Sequence, residues 1–156
     1  MDAAPERTLV VGIGHDDRGD DAAGPLTARL LARAWGDLLP PSVAVRGWRG
    51  DLLALIDAWC GVERLVLVDA VVSGAAPGTW RRYGVGLADA LALARTLGRL
   101  PPTVEVWGIE ATDFTAGAPP TEAVASAAAA LAAHLAAMLG PGGDAAELAR
   151  KGVPAA

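Results

Sequence analysis

The sequence predicts an α/β domain built on a mostly parallel sheet. Strand-like apolar runs alternate with segments of helical spacing along the chain. One of those runs, Leu65-Val-Leu-Val68, is continuous rather than alternating, as suits a central strand covered on both faces. The 156 residues show no internal repeat and no domain boundary, so residues 1–156 read as one domain. Its core spans about residues 8–139, and a flexible Gly- and Pro-rich tail covers 140–156.

The elements follow in order. Thr8-Leu-Val-Val-Gly-Ile-Gly14 reads as a buried strand entering a glycine turn. Asp20 to Trp35 reads as a helix with Leu26, Leu30 and Ala34 as its stripe. Pro25 fits if the regular turns begin near Gly24, because proline is tolerated only in a first turn. Ser42–Arg46 alternates like a short strand, and Asp51–Trp59 is a short helix with Asp51 as N-cap. Arg64–Asp69 is the central strand. Ala76-Pro-Gly-Thr79 is turn chemistry, and Trp80–Tyr83 supplies one more strand. Gly86–Leu97 is helical, with Leu87, Leu91 and Ala94 in line. Thr103–Ile109 is strand-like after Pro101-Pro102. Thr121–Leu139 is an alanine-rich helix with Val124, Leu131, Leu135 and Met138 on one face.

Composition narrows the function classes. Hydrophobic residues make up 53% and charged residues 20%, which excludes a disordered chain. A net charge of −5 argues against non-specific nucleic-acid binding, which needs a basic surface. The single cysteine, Cys60, permits neither an internal disulfide nor a Cys-rich metal site, and points to a reducing, cytoplasmic setting. No signal peptide is visible at residues 1–7. The Ala123–Leu139 stretch is short and weakly hydrophobic for membrane insertion.

In an open α/β sheet, ligands collect beyond the carboxyl ends of the strands. That rule selects the loop Gly12-Ile-Gly-His-Asp-Asp-Arg-Gly-Asp-Asp21, Asp69 at the end of the central strand, and Glu110 with Asp113 after the late strand. If the first and central strands are parallel neighbours, Asp21 and Asp69 approach one another. Paired carboxylates resist joint ionisation unless a proton or cation relieves them, and a divalent metal with oxygen and imidazole ligands is the natural relief. Asp20 and Asp21 also fit a plain helix N-terminus through the dipole. Asp69, at the end of an apolar strand, needs a partner. Glu110 and Asp113 read as rim residues, His134 as a solvated histidine, and Cys60 as a small buried residue. The five tryptophans read as packing groups.

Several motifs fail. Gly12-x-Gly14 follows a strand, but the third glycine of a dinucleotide fingerprint would fall at Asp17. The only lysine, Lys151, excludes a phosphate-binding Gly-Lys-Ser/Thr loop, and no Gly-x-Ser-x-Gly elbow exists. A nucleotide-binding role rests on fold analogy alone.

The run Val11-Gly-Ile-Gly-His-Asp-Asp-Arg-Gly-Asp-Asp-Ala-Ala-Gly24 resembles the opening of the hydrogenase maturation proteases. In order after it come Trp48-Arg-Gly-Asp-Leu-Leu53, Leu65-Val-Leu-Val-Asp-Ala-Val71, Ala76-Pro-Gly-Thr79, Gly84-Val-Gly-Leu-Ala-Asp-Ala-Leu91 and Val106-Trp-Gly-Ile-Glu110. The resemblance covers about Thr8 to Leu139. It implies a three-layer α/β/α sandwich around a twisted, mixed five-stranded sheet. It also implies an endopeptidase that removes the C-terminal extension of a nickel–iron hydrogenase large-subunit precursor after nickel insertion. The nickel belongs to that partner. Its ligands on the protease side would be Asp21 and Asp69, which would also be the catalytic carboxylates, with Gly12, Gly14 and Asp20 building the substrate loop. The family's ligand histidine has no counterpart here: Tyr83 stands at its position, and the segment between Thr79 and Gly86 is shorter than usual. His15 replaces a usual asparagine and could supply an imidazole as a replacement ligand. The missing histidine leaves a second reading open, a non-catalytic homologue that binds or chaperones a metalloprotein.

Overall fold

A computed structural model describes residues 7–83, 92 and 94–140. The predicted alternation of strands and helices is present. Strand β1 (Thr8–Ile13) leads through a 3-10 turn (Gly19–Ala22) into helix α1 (Ala23–Trp35). Strand β2 (Val43–Trp48), helix α2 (Leu52–Ala58), strand β3 (Arg64–Val71), strand β4 (Trp80–Tyr83), strand β5 (Thr103–Glu110) and helix α3 (Glu122–Leu139) follow. The sheet order is β2-β1-β3-β5-β4. The first four strands in that order are parallel, and β4 closes the edge antiparallel to β5. Most of the expected Gly86–Leu97 helix, the Gly84–Leu91 block and the tail after Gly140 lie outside the described residues. Ala92 and Ala94–Thr96 are helical, and Ala94 is buried as expected.

Burial on both faces explains the continuous apolar run in β3. Val66 and Val68 join Val10, Leu31, Trp107, Leu131 and Leu135 beneath α1 and α3. Leu65 and Leu67 join Leu9, Val11, Leu55, Ile56, Trp59 and Ala94 on the opposite face. The result is three layers around a five-stranded mixed sheet.

Local chemistry sets the helix ends. Asp51 caps α2 as expected, its Oδ1 accepting from the Ala54 N–H at 2.7 Å. Pro25 lies in the first turn of α1, where its missing N–H costs nothing. The buried stripe of α1 is Gly24, Thr27, Ala28, Leu31 and Trp35, not the expected Leu26, Leu30 and Ala34. Leu26 and Leu30 are partly buried at the flank of the core, and Ala34 is exposed. In α3, all four expected stripe residues are buried. By length and composition α3 is apolar enough to cross a membrane, and here that apolar character serves the packing of α3 on α1 and the sheet.

Candidate functional site

The carboxyl ends of β1, β2, β3 and β5 share one edge of the sheet. The pairing of β1 with β3 ends at Gly12 and Val68, while β3 continues beside β5 to Val71. Asp69 therefore stands one residue beyond the β1 pairing, opposite Gly108 of β5. Strand alternation puts it on the face of Leu65 and Leu67.

Glycines bring the first loop against this edge. A Cβ on Gly12 would strike the Gly24 carbonyl, and one on Gly24 would lie 2.5 Å from the Ile13 nitrogen and 2.6 Å from the Val68 oxygen. Gly14, at φ 142°, passes directly against the Asp21 carbonyl. These glycines let the start of α1 sit on the ends of β1 and β3.

Asp20 is fully buried. Its Oδ1 accepts from the Thr121 N–H at 2.7 Å and the Thr121 hydroxyl at 2.8 Å. Its Oδ2 accepts from the N–H groups of Thr112 at 2.9 Å and Asp113 at 3.0 Å. Burial pushes its pKa up, but these hydrogen bonds outweigh that and hold it below the usual carboxylate value. Asp20 thus ties the first loop to the segment before α3, and both of its oxygens are engaged inside the chain. Its carboxylate is part of the build of that loop.

Asp21 is 24% exposed and His15 is 46% exposed. The Asp21 Oδ2 accepts the His15 backbone N–H at 2.8 Å and lies 3.0 Å from His15 Nδ1. Asp69 is partly buried, with the adjacent Ala70 N–H on its Oδ1 at 2.8 Å. Burial pushes its pKa up to about 7; the Ala70 hydrogen bond opposes this and the negative charge of Asp21 adds to it. The structure therefore brings Asp21 within electrostatic reach of Asp69 and places His15 on Asp21. Among the described residues, no three His, Cys, Asp or Glu side chains are grouped so as to hold a metal by themselves.

Tyr83 pairs with Val106 and packs on the Leu65 and Leu67 face. A Cβ on Gly108 would lie 2.5 Å from the Tyr83 ring, so the ring lies over the residue opposite Asp69. The phenol side chain thus occupies the same sheet face as Asp69. Arg81 sits over that ring, 4.8 Å from its centroid.

Other expectations change. Glu110 is only 2% exposed and is no rim residue. It accepts from the Ser73 hydroxyl at 2.7 Å and from the N–H groups of Ser73 and Gly74 at 2.8 and 3.0 Å, which fixes the loop after β3. The Ser73 hydroxyl and N–H lead the causes that hold its pKa down, against burial and with help from Gly74 and Arg81. Asp113 is exposed, as expected of the rim. His134 is only partly exposed: its ring lies 5.4 Å from Trp80 and 5.1 Å from Trp107, and burial lowers its pKa against the pull of Glu105. Cys60 is exposed rather than buried, because it follows the end of α2 in a turn.

Two clefts of about 230 and 270 Å³ open at the amino ends of the strands and touch neither Asp21 nor Asp69. A third, of about 170 Å³, is lined by Asp16, Pro25, Arg29 and Gly47 beside the first loop.

No family model matches the chain, and no curated protein matches it in sequence. Solved structures do match. The [NiFe] hydrogenase maturation protease HycI of Thermococcus kodakarensis is 24% identical, over 85% of this chain and 92% of that one, with TM-score 0.65. The hydrogenase 2 maturation peptidase of a Thaumarchaeota archaeon is 25% identical, over 86% and 99%, with TM-score 0.65. The hydrogenase maturating endopeptidase HybD of E. coli is 23% identical, over 85% and 91%, with TM-score 0.67. In architecture the chain is similar to the hydrogenase maturation proteases, and it shares their fold.

Proposed function

We propose that the chain is a cytoplasmic endopeptidase that removes the C-terminal extension of a nickel–iron hydrogenase large-subunit precursor once nickel is in place. The reading is supported by a fold shared with hydrogenase maturation proteases and by Asp21 and Asp69 at the carboxyl ends of its parallel strands, where the charge of Asp21 acts on Asp69. A metal that arrives already held by its own ligands needs few further donors, and two carboxylates offer hard oxygen donors to a divalent ion. In this reading Asp21 and Asp69 receive the nickel of the precursor and so fix the scissile bond beside them. A carboxylate at the same edge then accepts a proton from the attacking water. Gly12 and Gly14 keep the loop close enough for that geometry.

The test is cleavage of a nickel-loaded precursor by the purified protein. Asp21→Ala and Asp69→Ala are each expected to slow processing at least about 100-fold. Unchanged processing in both variants would show that these carboxylates have no such role. Tyr83, on the sheet face of Asp69, favours a second reading in which the protein binds a metalloprotein without cutting it. That reading predicts a stable complex with a precursor of unaltered length.

A further inference from the structure

We propose that the free side of β2 is a docking edge for an extended acidic segment of a partner protein, which adds to the sheet as a further strand. β2 ends the sheet order and pairs with β1 alone. The carbonyls of Ser42, just before β2, and of Trp48 accept from the Thr8 and Gly14 N–H groups at 2.9 and 3.1 Å. Main-chain groups point to alternate sides along a strand. Those of Ser42, Ala44, Arg46 and Trp48 therefore serve β1, and those of Val43, Val45 and Gly47 face outward. The Pro40 carbonyl takes the Val43 N–H at 2.9 Å. The N–H and C=O groups of Val45 and Gly47 have no partner among the described residues. Ala44, Arg46 and Gly47 are exposed. Such a row of unpaired main-chain groups is a template for another strand.

A cleft flanks this edge on each face of the sheet. Ala44 and Arg46 line the one of about 230 Å³ on the α2 face, which Arg7, Ala58 and Val62 complete. Val45 and Gly47 line the one of about 170 Å³ on the α1 face, beside Asp16 and Arg29. Side chains of an added strand alternate with period 2, so they enter the two clefts in turn. Charge selects the occupant. Glu63 accepts the main-chain N–H of Arg7, and the guanidinium groups of Arg7 and Arg46 form no ion pair among the described residues. Arg29 in the other cleft is already paired with Asp16. The α2-side cleft therefore fits carboxylates at alternate positions of the guest, and the α1-side cleft fits small uncharged side chains. A second copy of this chain is the wrong guest. Pairing β2 with β2 about a two-fold axis would bring two arginine-lined clefts together on one face. Docking along β2 does not require the peptidase activity.

The experiment is a peptide titration of the full, nitrogen-15-labelled chain, followed by amide hydrogen exchange. The probe is the end-blocked peptide Ser-Glu-Val-Glu-Val-Glu-Ser. One control reorders it as Ser-Glu-Glu-Glu-Val-Val-Ser, which keeps the charge and loses the period. The other is Ser-Lys-Val-Lys-Val-Lys-Ser. The probe is expected to bind about 10-fold more tightly than either control and to slow exchange of the Val45 and Gly47 N–H groups. Arg46→Glu, at an exposed position, is expected to lose about 10-fold in affinity for the probe and to gain affinity for the lysine peptide. A merely structural role for Arg46 would not exchange the preference in this way. Gly47→Pro removes one outward N–H at an edge position, where proline is tolerated. A Cβ at residue 47 meets nothing closer than 4.0 Å, so this variant should keep its fold and bind the probe more weakly. No binding at millimolar peptide, equal binding of the reordered control, or binding without protection at Val45 and Gly47 would overturn the proposal. So would an unchanged preference in Arg46→Glu. Self-association that protects the same N–H groups without peptide would assign the edge to a second copy and overturn it as well.

Discussion

Asp20 and Asp21 are neighbours in sequence with opposite fates. Both oxygens of Asp20 accept N–H groups, so neither can be replaced by an amide nitrogen without setting donor against donor. Asp20→Asn is therefore expected to destabilise the fold nearly as much as Asp20→Ala, by about 3 kcal/mol. Urea denaturation of both variants checks this; an asparagine variant as stable as wild type would show that the charge is dispensable. The sequence displays both aspartates, but the partners of Asp20 lie at Thr112, Asp113 and Thr121, far along the chain. No local spacing encodes such a tie. Thr121 shows the same limit from the other side: it occupies the N-cap of α3, yet its hydroxyl donates to Asp20 instead of capping the helix. The partial burial of Asp69 was legible because it ends a continuous apolar strand. Glu110 was missed for the converse reason, since its partners sit in the loop after β3.

At the scale of elements, period and composition revealed the strands because β1, β3 and β5 are short, apolar and bounded by turn residues. The stripe of α1 was harder to read. Its contact with the sheet is set by a glycine, which contributes no hydrophobic signal to a periodicity count. Gly24 lets the first turn of α1 rest on the backbone of Ile13 and Val68. Gly24→Ala is expected to lift that turn off the edge and cost about 2–3 kcal/mol, because the obstructing atoms are backbone and cannot swing aside. Ala34→Ser, on the exposed side of the same helix, should change stability by less than about 0.5 kcal/mol. Equal denaturation midpoints for the two variants would contradict the close backbone contact. The same displacement would carry Asp21 away from Asp69, so the Gly24 variant should also lose activity in the precursor assay before it loses its fold.

The molecule as a whole distributes its carboxylates in two opposed ways. Asp20, Glu110 and Asp113 have pKa values held down in the folded state. Their contribution to stability is present above the ordinary carboxylate range and is lost as the pH falls through their folded values. Asp69 runs the other way. Its pKa rises from 3.8 to about 7, so the folded chain holds that proton more tightly than the unfolded chain does. Stability from this residue is full below pH 3.8 and declines as the pH rises to about 7. The full ionisation cost is at most about 4 kcal/mol. Wild-type stability should therefore peak in mildly acidic solution and fall toward neutrality. Asp69→Asn removes the descending limb: it should melt well above the wild type near pH 8 and at nearly the same temperature near pH 4. Thermal melts of both proteins across that range make the check, and identical melting near pH 8 would mean that the fold bears no such cost. The cost belongs to the site, since burial and the neighbouring charge of Asp21 both disfavour the Asp69 carboxylate. A cation brought to that edge would favour the carboxylate instead, so a nickel-loaded partner should stabilise the wild type most where the free protein is weakest, above pH 7.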